Sequence, residues 1–443
     1  MSESDLVLKM DLDFRSWIIR LRSFLQRRGD LNALFSPVRL VPKGVSQGTV
    51  VISYITWPFC EGWNSLKARG HTNAFEVVAM AEAYQELGYT VEIVDYNNND
   101  YLPPRDCHVA IDLHGQLERW NAFLPENCHR ILHATGAHWL LANQSELMRL
   151  AAIRDRRGVV LFPRRQVEPS RSAALADHIV VLGNDYTIDS FNPTFAIGDG
   201  DLSQYTRSQI NQPTAYSLQP TASIRPIGRI VTKPITRIPI SSAYEFAWPE
   251  ERDFSLAKKK FLWIGSYGMV HKGLDLVLEA FSQMPELSLT VCGRPEKEDD
   301  FYKLYEKELL HTPNIHFLGW IDMASPEFLE IAATHAAIVY PSCSEGGGGS
   351  VIHCMHAGMV PLCTKEASVD LGDFGMQIKG GSVEDVIESV QSFSALSDQE
   401  VAERARSSYD HVRRYHTRDQ FRKNYQNFAA RLTRIFHTHR YET

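Results

Sequence analysis

Residues 340–361, YPSCSEGGGGSVIHCMHAGMVP, hold the densest chemistry in this 443-residue chain. The run just before them, AAIVY (336–340), reads as a short buried strand, and the spacing of Val351, Ile352 and Met355 is that of a helix. Between the two lie Gly346 to Gly349. Strand, glycine loop and helix in that order let backbone N–H groups and a helix N-terminus approach an anion. Ser350 is placed to cap the helix, and Glu345 to face whatever the loop holds. Glycine runs also serve as plain turns beside a solvated Glu. The position between a strand and a helix favours the ligand-binding reading.

A second glycine loop lies one domain length earlier. In FLWIGSYGMVHKGLDLVLEAF (261–281) a strand ends at Gly265, Gly268 sits in the turn, and Lys272-Gly273 opens a helix. A lysine there meets a phosphate by its charge and by the helix dipole. The pattern is not a P-loop, which needs Gly-Lys-Ser/Thr after a longer glycine loop. Alternation continues through LSLTVCG, NIHFLGW, AAIVYPS and VPLCT as strands, with LDLVLEAFSQM, DFYKLYEKELL and FLEIAATH as helices. The first half alternates as well. Its strand candidates are TVVISYI (49–55), TVEIVDY (90–96), HVAIDLH (108–114), RILHAT (130–135), GVVLF (158–162) and HIVVLG (178–183), and HTNAFEVVAMAEAYQELG (71–88) is helical in pattern with Gly88 as its stop. Strands this apolar, separated by helices, predict parallel sheets covered on both faces. SPVRLVPKGVSQG (36–48) reads as a link and PITRIPISS (234–242) as an interdomain connection. Residues 398–441 read as helices only.

Composition narrows the function classes. The chain is 44% hydrophobic and 22% charged with a net charge of −7, a globular balance that argues against general nucleic-acid binding. Seven cysteines without a C-x-x-C pair read as reduced thiols of a cytoplasmic protein. No apolar run nears the length of a membrane span, and no signal peptide is evident. Residues 14–28, FRSWIIRLRSFLQRR, form a basic amphipathic pattern. It fits a helix packed on its own domain with its arginines in water, and it also fits peripheral contact with the inner face of an anionic membrane.

Taken together, the Lys272 loop, LTVCG, NIHFLGW and the Glu345 stretch resemble, across residues 259–382, the donor half of retaining glycosyltransferases of the GT-B fold, glycosyltransferase family 4. The first half is similar through GHTNAFEVVAMAEAYQELGYTVEIVDY and ADHIVVLGND, and residues 407–436 resemble the family's closing helix. The resemblance implies two Rossmann-like parallel-sheet α/β domains facing each other across a cleft, with C-terminal helices crossing back to the first. The expected division is a basic helix and linker at 1–48, an acceptor-side domain at 49–245, a nucleotide-sugar donor domain at 246–415 and a returning helix at 416–443.

The resemblance also implies roles. Lys272 would neutralise the donor diphosphate, helped by backbone near Gly265 and Ser266. Glu345, the first Glu of the family's pair, would lie near the transferred sugar, and Gly348, Gly349, Ser350 and Val351 would present backbone groups. Two departures stand out: His353 replaces the second Glu, which in the family holds the nucleotide ribose, and Ser266 replaces an Arg. On the acceptor side, strand-end histidines are the candidates. His133 and His138 in RILHATGAHW are the catalytic choices, with Thr135 in the turn between them, and His71, Asp112 and His114 follow the same logic. Metal ligands are not expected, since the histidines are dispersed; Asp199-Gly200-Asp201 reads as a turn. The expected reaction needs a nucleotide diphosphate sugar, a glycan, lipid-linked or small-molecule acceptor, and no cofactor. A non-catalytic GT-B-like binding or scaffold protein is the alternative, and a phosphorylase-like or sugar-phosphate synthase activity uses the same scaffold. A hydride-transfer enzyme is disfavoured by the lack of G-x-G-x-x-G after either first strand.

Overall fold

The computed structural model describes residues 36–65, 70–191 and 233–439, with side chains described to residue 434. The basic stretch 14–28 and Asp199-Gly200-Asp201 lie outside the described residues. Two sheets form the frame. The first contains β1 (Val38–Leu40), β2 (Thr49–Tyr54), β3 (Thr90–Asp95), β4 (Cys107–Asp112), β5 (His129–Ala134), β6 (His178–Val181) and β7 (Ile235–Arg237), in the order β1-β3-β2-β4-β5-β6-β7. The second contains β8 (Lys260–Gly265), β9 (Ser288–Gly293), β10 (Ile315–Gly319), β11 (Ala337–Tyr340), β12 (Val360–Cys363) and β13 (Met376–Gln377), in the order β10-β9-β8-β11-β12-β13. β1 pairs antiparallel with β3; the other described pairings are parallel. In the second sheet the strand order reverses between β8 and β11. Ligand crevices form outside the carboxyl ends of strands at such a switch point. The two glycine loops leave those two strands.

Buried β-branched and aromatic residues hold each sheet: Val50, Ile52, Val91 and Ile111 in the first, Phe261, Trp263, Val291 and Val339 in the second. The returning chain divides between the domains. Helix α5 (Asp398–Tyr415) buries Val401, Ala405 and Val412 in the second core. Helix α6 (Arg418–His439) buries Phe421, Tyr425 and Phe428 in the first, against α1 (Thr72–Glu86). This is the expected crossing back. No described helix is long and apolar enough to cross a membrane.

Three sequence expectations are corrected. GVVLF (158–162) is not a strand. Gly158, at φ 70°, ends helix α2 (Trp139–Arg157), and Val160 and Phe162 are 51% and 67% exposed. A short apolar run cannot by its pattern be told from a buried strand, and only Leu161 of this run is buried. The stretch read as a linker at 36–48 contributes the edge strand β1, with Arg39 opposite Glu92 and its Nε 3.7 Å from the carboxylate. PITRIPISS contains β7, which extends the first sheet.

Helix α2 belongs to the first domain by chain order, but its apolar side lies in the second. Leu150, Ile153 and Leu161 are part of the core built around Phe261 and Trp263. Asp275, wholly buried at the start of α3 (Leu274–Phe281), takes Arg156 at 3.1 Å and has Arg149 at 3.9 Å. Arg157 pairs with Glu308 at 2.7 Å and Arg164 with Asp300 at 2.6 Å. A second tie runs through α1. Glu76, 1% exposed, accepts from the N–H and the hydroxyl of Ser241, each at 2.8 Å, on the connection between the sheets.

Burial pushes the Glu76 carboxyl up to about 7, and the Ser241 donors pull it back only in part. A raised folded-state value means that the stabilisation it represents is complete below the unfolded value near 4.5 and is lost as pH rises through 7. Glu76→Gln abolishes this titration. The stability of the variant relative to the wild type is therefore expected to improve by roughly 3 kcal/mol between about pH 4.5 and pH 8 in urea denaturation; a constant difference would remove Glu76 from the account.

Candidate active site

Because β8 and β11 are neighbours, the loops that follow them share one crevice. Their backbones touch: a Cβ added to Gly273, whose φ is +75°, would lie 2.3 Å from the Pro341 carbonyl oxygen. Gly273 starts α3 in the left-handed conformation that glycine adopts without strain. Inside the crevice, Lys272 Nζ donates to Glu345 Oε1 at 2.6 Å and to the Tyr340 hydroxyl at 2.8 Å. The two charged side chains are only 11% and 13% exposed. Burial pushes the Glu345 carboxyl up, but Lys272 first of all, His271 where acid protonates it, and Arg165 outweigh it and hold it at about 2. Glu345 is therefore an anion throughout the physiological range. His271, held neutral by burial, donates from Nε2 to the Ser344 carbonyl.

Helix α4 (Gly349–His356) follows. Its N-cap is Gly348 at φ +57°, not Ser350, so the expected Ser350 side-chain cap is absent. Left-handed φ excludes a serine-type cap at this turn. Of the positions expected to offer backbone donors, Val351 already donates to Gly348 O at 2.8 Å, leaving Gly349 and Ser350 in the first turn. In the other loop, Glu298 accepts from Gly268 N at 2.6 Å and from Met269 N at 3.2 Å, so those N–H groups are also occupied. Gly265 fits tightly against Lys272, since an added Cβ would be 3.0 Å from Cδ. Ser266 is exposed beside it.

His353, expected to hold the ribose, is tied to the connection between the domains. It is 5% exposed, burial lowers its imidazole to about 3, and Nε2 accepts from Ala243 N at 2.9 Å. A cavity of about 390 Å³ opens on that side, lined in part by Trp63, Tyr244 and Arg418; Lys272, Glu345 and the glycine loop are not in its lining.

The first domain meets this crevice at Thr135 and Gly136. An added Cβ on Gly346 would lie 2.0 Å from Thr135 O and 2.5 Å from Gly136 Cα, so the glycine loop and the turn after β5 are in backbone contact. His138 caps α2: Nδ1 accepts from Leu140 N at 3.3 Å, which leaves the proton on Nε2, and burial lowers it to about 4. His133 is corrected. It is 0% exposed within β5, between the rings of Tyr54 and Tyr425, and burial lowers it to about 4. It faces the core, not the crevice. Asp112 is wholly buried and accepts from His114 N, Leu117 N and Ser172 Oγ, a loop-fixing role that leaves it no acceptor-binding one. His114 is exposed with its ring against Tyr96, and His71 is exposed at the start of α1.

Dispersal in the sequence argued against metal ligands, yet the fold gathers Asp370, His411 and His416 with ligand atoms within 4.8 Å of one another. Arg237 already pairs with Asp370 at 2.6 Å, and the trio stands at the chain crossing, not beside Glu345. Arg165 is the residue that sequence reasoning missed. Nothing in its local pattern marks it; only the docking of the segment after α2 brings it to the Lys272 loop.

The fold is GT-B: two parallel-sheet α/β domains facing one another with helices returning to the first. Residues 246–407 match the family model described as "Glycosyl transferases group 1". No curated protein matches the chain. Sucrose-phosphate synthase from Thermosynechococcus elongatus has a similar structure, 12% identical, covering 89% of this chain and 99% of that one, with a TM-score of 0.50. HepE from Anabaena in complex with UDP and glucose is 10% identical over 87% of this chain and 100% of that one, with a TM-score of 0.47. A TarM variant from S. aureus in complex with fondaparinux, alpha-GlcNAc-glycerol and UDP is 13% identical over 72% of this chain, with a TM-score of 0.44; this chain spans 55% of its length.

The contact at Gly346 gives a prediction. Gly346→Ala is expected to lower stability by about 1–3 kcal/mol, read in thermal denaturation, and to part the domains, read as an increased radius of gyration in solution scattering. An unchanged radius would mean that this backbone contact does not hold the crevice shut.

Proposed function

We propose that the chain is a retaining glycosyltransferase. It takes a sugar from a nucleoside diphosphate donor held by the second domain and passes it to a glycan, lipid-linked or small-molecule acceptor at the first, without a catalytic metal. The observation that carries this reading is the buried Lys272–Glu345 pair at the switch point of a domain that matches the group 1 family model. Such a transfer leaves negative charge on the departing diphosphate while the sugar gains oxocarbenium character. Lys272 and the N-terminus of α4 serve the first charge. Glu345, too acidic to be a general acid, serves the second as a fixed anion. The Gly346–Thr135 contact keeps bulk water from the reacting carbon, and His138 can donate from Nε2 to a sugar hydroxyl. With a lipid-linked acceptor, the basic stretch 14–28 would bring the chain to an anionic membrane surface.

One observation favours the second reading, a non-catalytic nucleotide-sugar binder: His353 is spent on Ala243 instead of a ribose. A thermal-shift panel of nucleoside diphosphates and their sugar conjugates, followed by donor-turnover assays in EDTA with NMR assignment of the product anomer, separates the two. Stabilisation with turnover and a retained anomer supports the transferase; stabilisation without turnover, across acceptor classes, supports the binder. Glu345→Gln and Lys272→Ala are each expected to lower kcat by about 10²–10³-fold. The double variant is expected to lose little more than the worse single one, because each single change leaves a buried charge without its counter-charge. Multiplicative losses would sink the paired role.

A further inference from the structure

On the transferase reading, the two loops of the second domain supply less positive charge than a diphosphate requires. Lys272 is neutralised by Glu345 at 2.6 Å. His271 is kept neutral by burial and hydrogen-bonded through Nε2 to Ser344 O. The N–H groups of Gly268 and Met269 point to Glu298, and Ser266 brings no charge. A diphosphate carries at least two negative charges, and Lys272, already paired with Glu345, offsets them only in part.

A cation from the first domain lies at this place. The stem of Arg165 covers the Lys272 loop: a Cβ added to Gly268 would be 2.6 Å from Arg165 Cγ and 3.0 Å from Cδ. Its backbone is held firmly. The Glu146 carboxylate, on a side chain 1% exposed, accepts from Arg165 N at 2.9 and 3.1 Å, from Arg164 N at 2.9 Å and from Gln166 Nε2 at 2.7 Å. Its guanidinium, by contrast, makes no hydrogen bond or ion pair among the described residues, whereas neighbouring Arg164 is committed to Asp300 at 2.6 Å. Arg165 is exposed to solvent, and its field reaches into the crevice, where it helps to hold Glu345 ionised. A backbone anchored by a buried carboxylate beneath an uncommitted guanidinium is what bidentate recognition of a phosphate needs.

We propose that Arg165, delivered by the first domain, is the diphosphate-binding cation of this crevice, so that the anion site is complete only when the segment after α2 is docked on the second domain. The ligand class is a nucleoside diphosphate, free or as its sugar conjugate. Arg165 does the work that a positive residue at position 266 would do from within the second domain. Because it sits on a segment that follows α2 and packs on the second domain, its bond to the ligand ties donor binding to that docking.

Isothermal titration of the full chain with UDP, GDP and ADP, and with the monophosphate of whichever base binds, tests this. Arg165→Met keeps the stem on Gly268 and removes the charge. It is expected to weaken the diphosphate by about 10–100-fold and the monophosphate by clearly less, with Arg165→Lys between wild type and Met. Adding Ser266→Arg to Arg165→Met is expected to restore much of the affinity. An unchanged diphosphate Kd in Arg165→Met overturns the proposal and leaves the transferase reading standing. Equal weakening of mono- and diphosphate also overturns it, since that marks a role in shaping the loop. A wild-type chain that binds none of the three diphosphates overturns the transferase reading itself, and the proposal with it.

Discussion

The structure turns on a buried ion pair between two loops that only parallel strand order can bring together. Lys272 follows β8 and Glu345 follows β11; they are 73 positions apart, and their side chains meet at 2.6 Å. Either charge alone at that depth would be strongly unfavourable, so each needs the other. Tyr340 adds its hydroxyl to the same oxygen, and glycines at 265 and 273 let the loops approach that closely. On the proposed reading, the pairing explains how a site for an anion can exist in the folded chain before any ligand arrives. Glu345 supplies the countercharge that the free protein requires and stays ionised.

The same constraint shapes the relation between the domains. In a simple two-domain enzyme each half closes its own core. Here α2 sends Leu150 and Ile153 into the core of the second domain, and wholly buried Asp275 has two α2 arginines beside it. Burial raises the Asp275 carboxyl and Arg149 and Arg156 draw it back, so its charge depends on the partner domain. On the opposite edge, Asn184 and Thr187 bond Ser368, and Arg237 bonds Asp370. The crevice is thus gripped from both sides, and the turn at Thr135–Gly136 is pressed against the glycine loop.

Much of this was legible because it has a period or a composition. Alternating strands and helices, Gly88 as a stop, the two glycine loops and the returning helices follow from patterns that local physics imposes. Errors came where local pattern is degenerate. GVVLF has a strand's composition, yet none of its five residues joins a sheet, and Leu161 enters the core of the other domain. His133 and His138 look equivalent five residues apart; alternation of side chains along β5 turns the first into the core, while the second lies past the turn and caps a helix. His353 occupies a position implied to be ligand-binding, but an N–H of Ala243, 110 positions earlier, claims its nitrogen.

The sequence by itself determined the two parallel α/β units, the order of their ligand loops and the residue types that meet an anion, because short-range sterics and hydrophobic periodicity act within a few residues. Tertiary structure alone decided which charges remain available. Lys272 is spent on Glu345, Glu298 takes backbone donors of the first loop, Asp370, His411 and His416 converge, and Arg165 arrives from the other domain. Those outcomes depend on which distant groups share a low-dielectric space, and charge compensation there is set by through-space distance, which spacing along the chain does not encode.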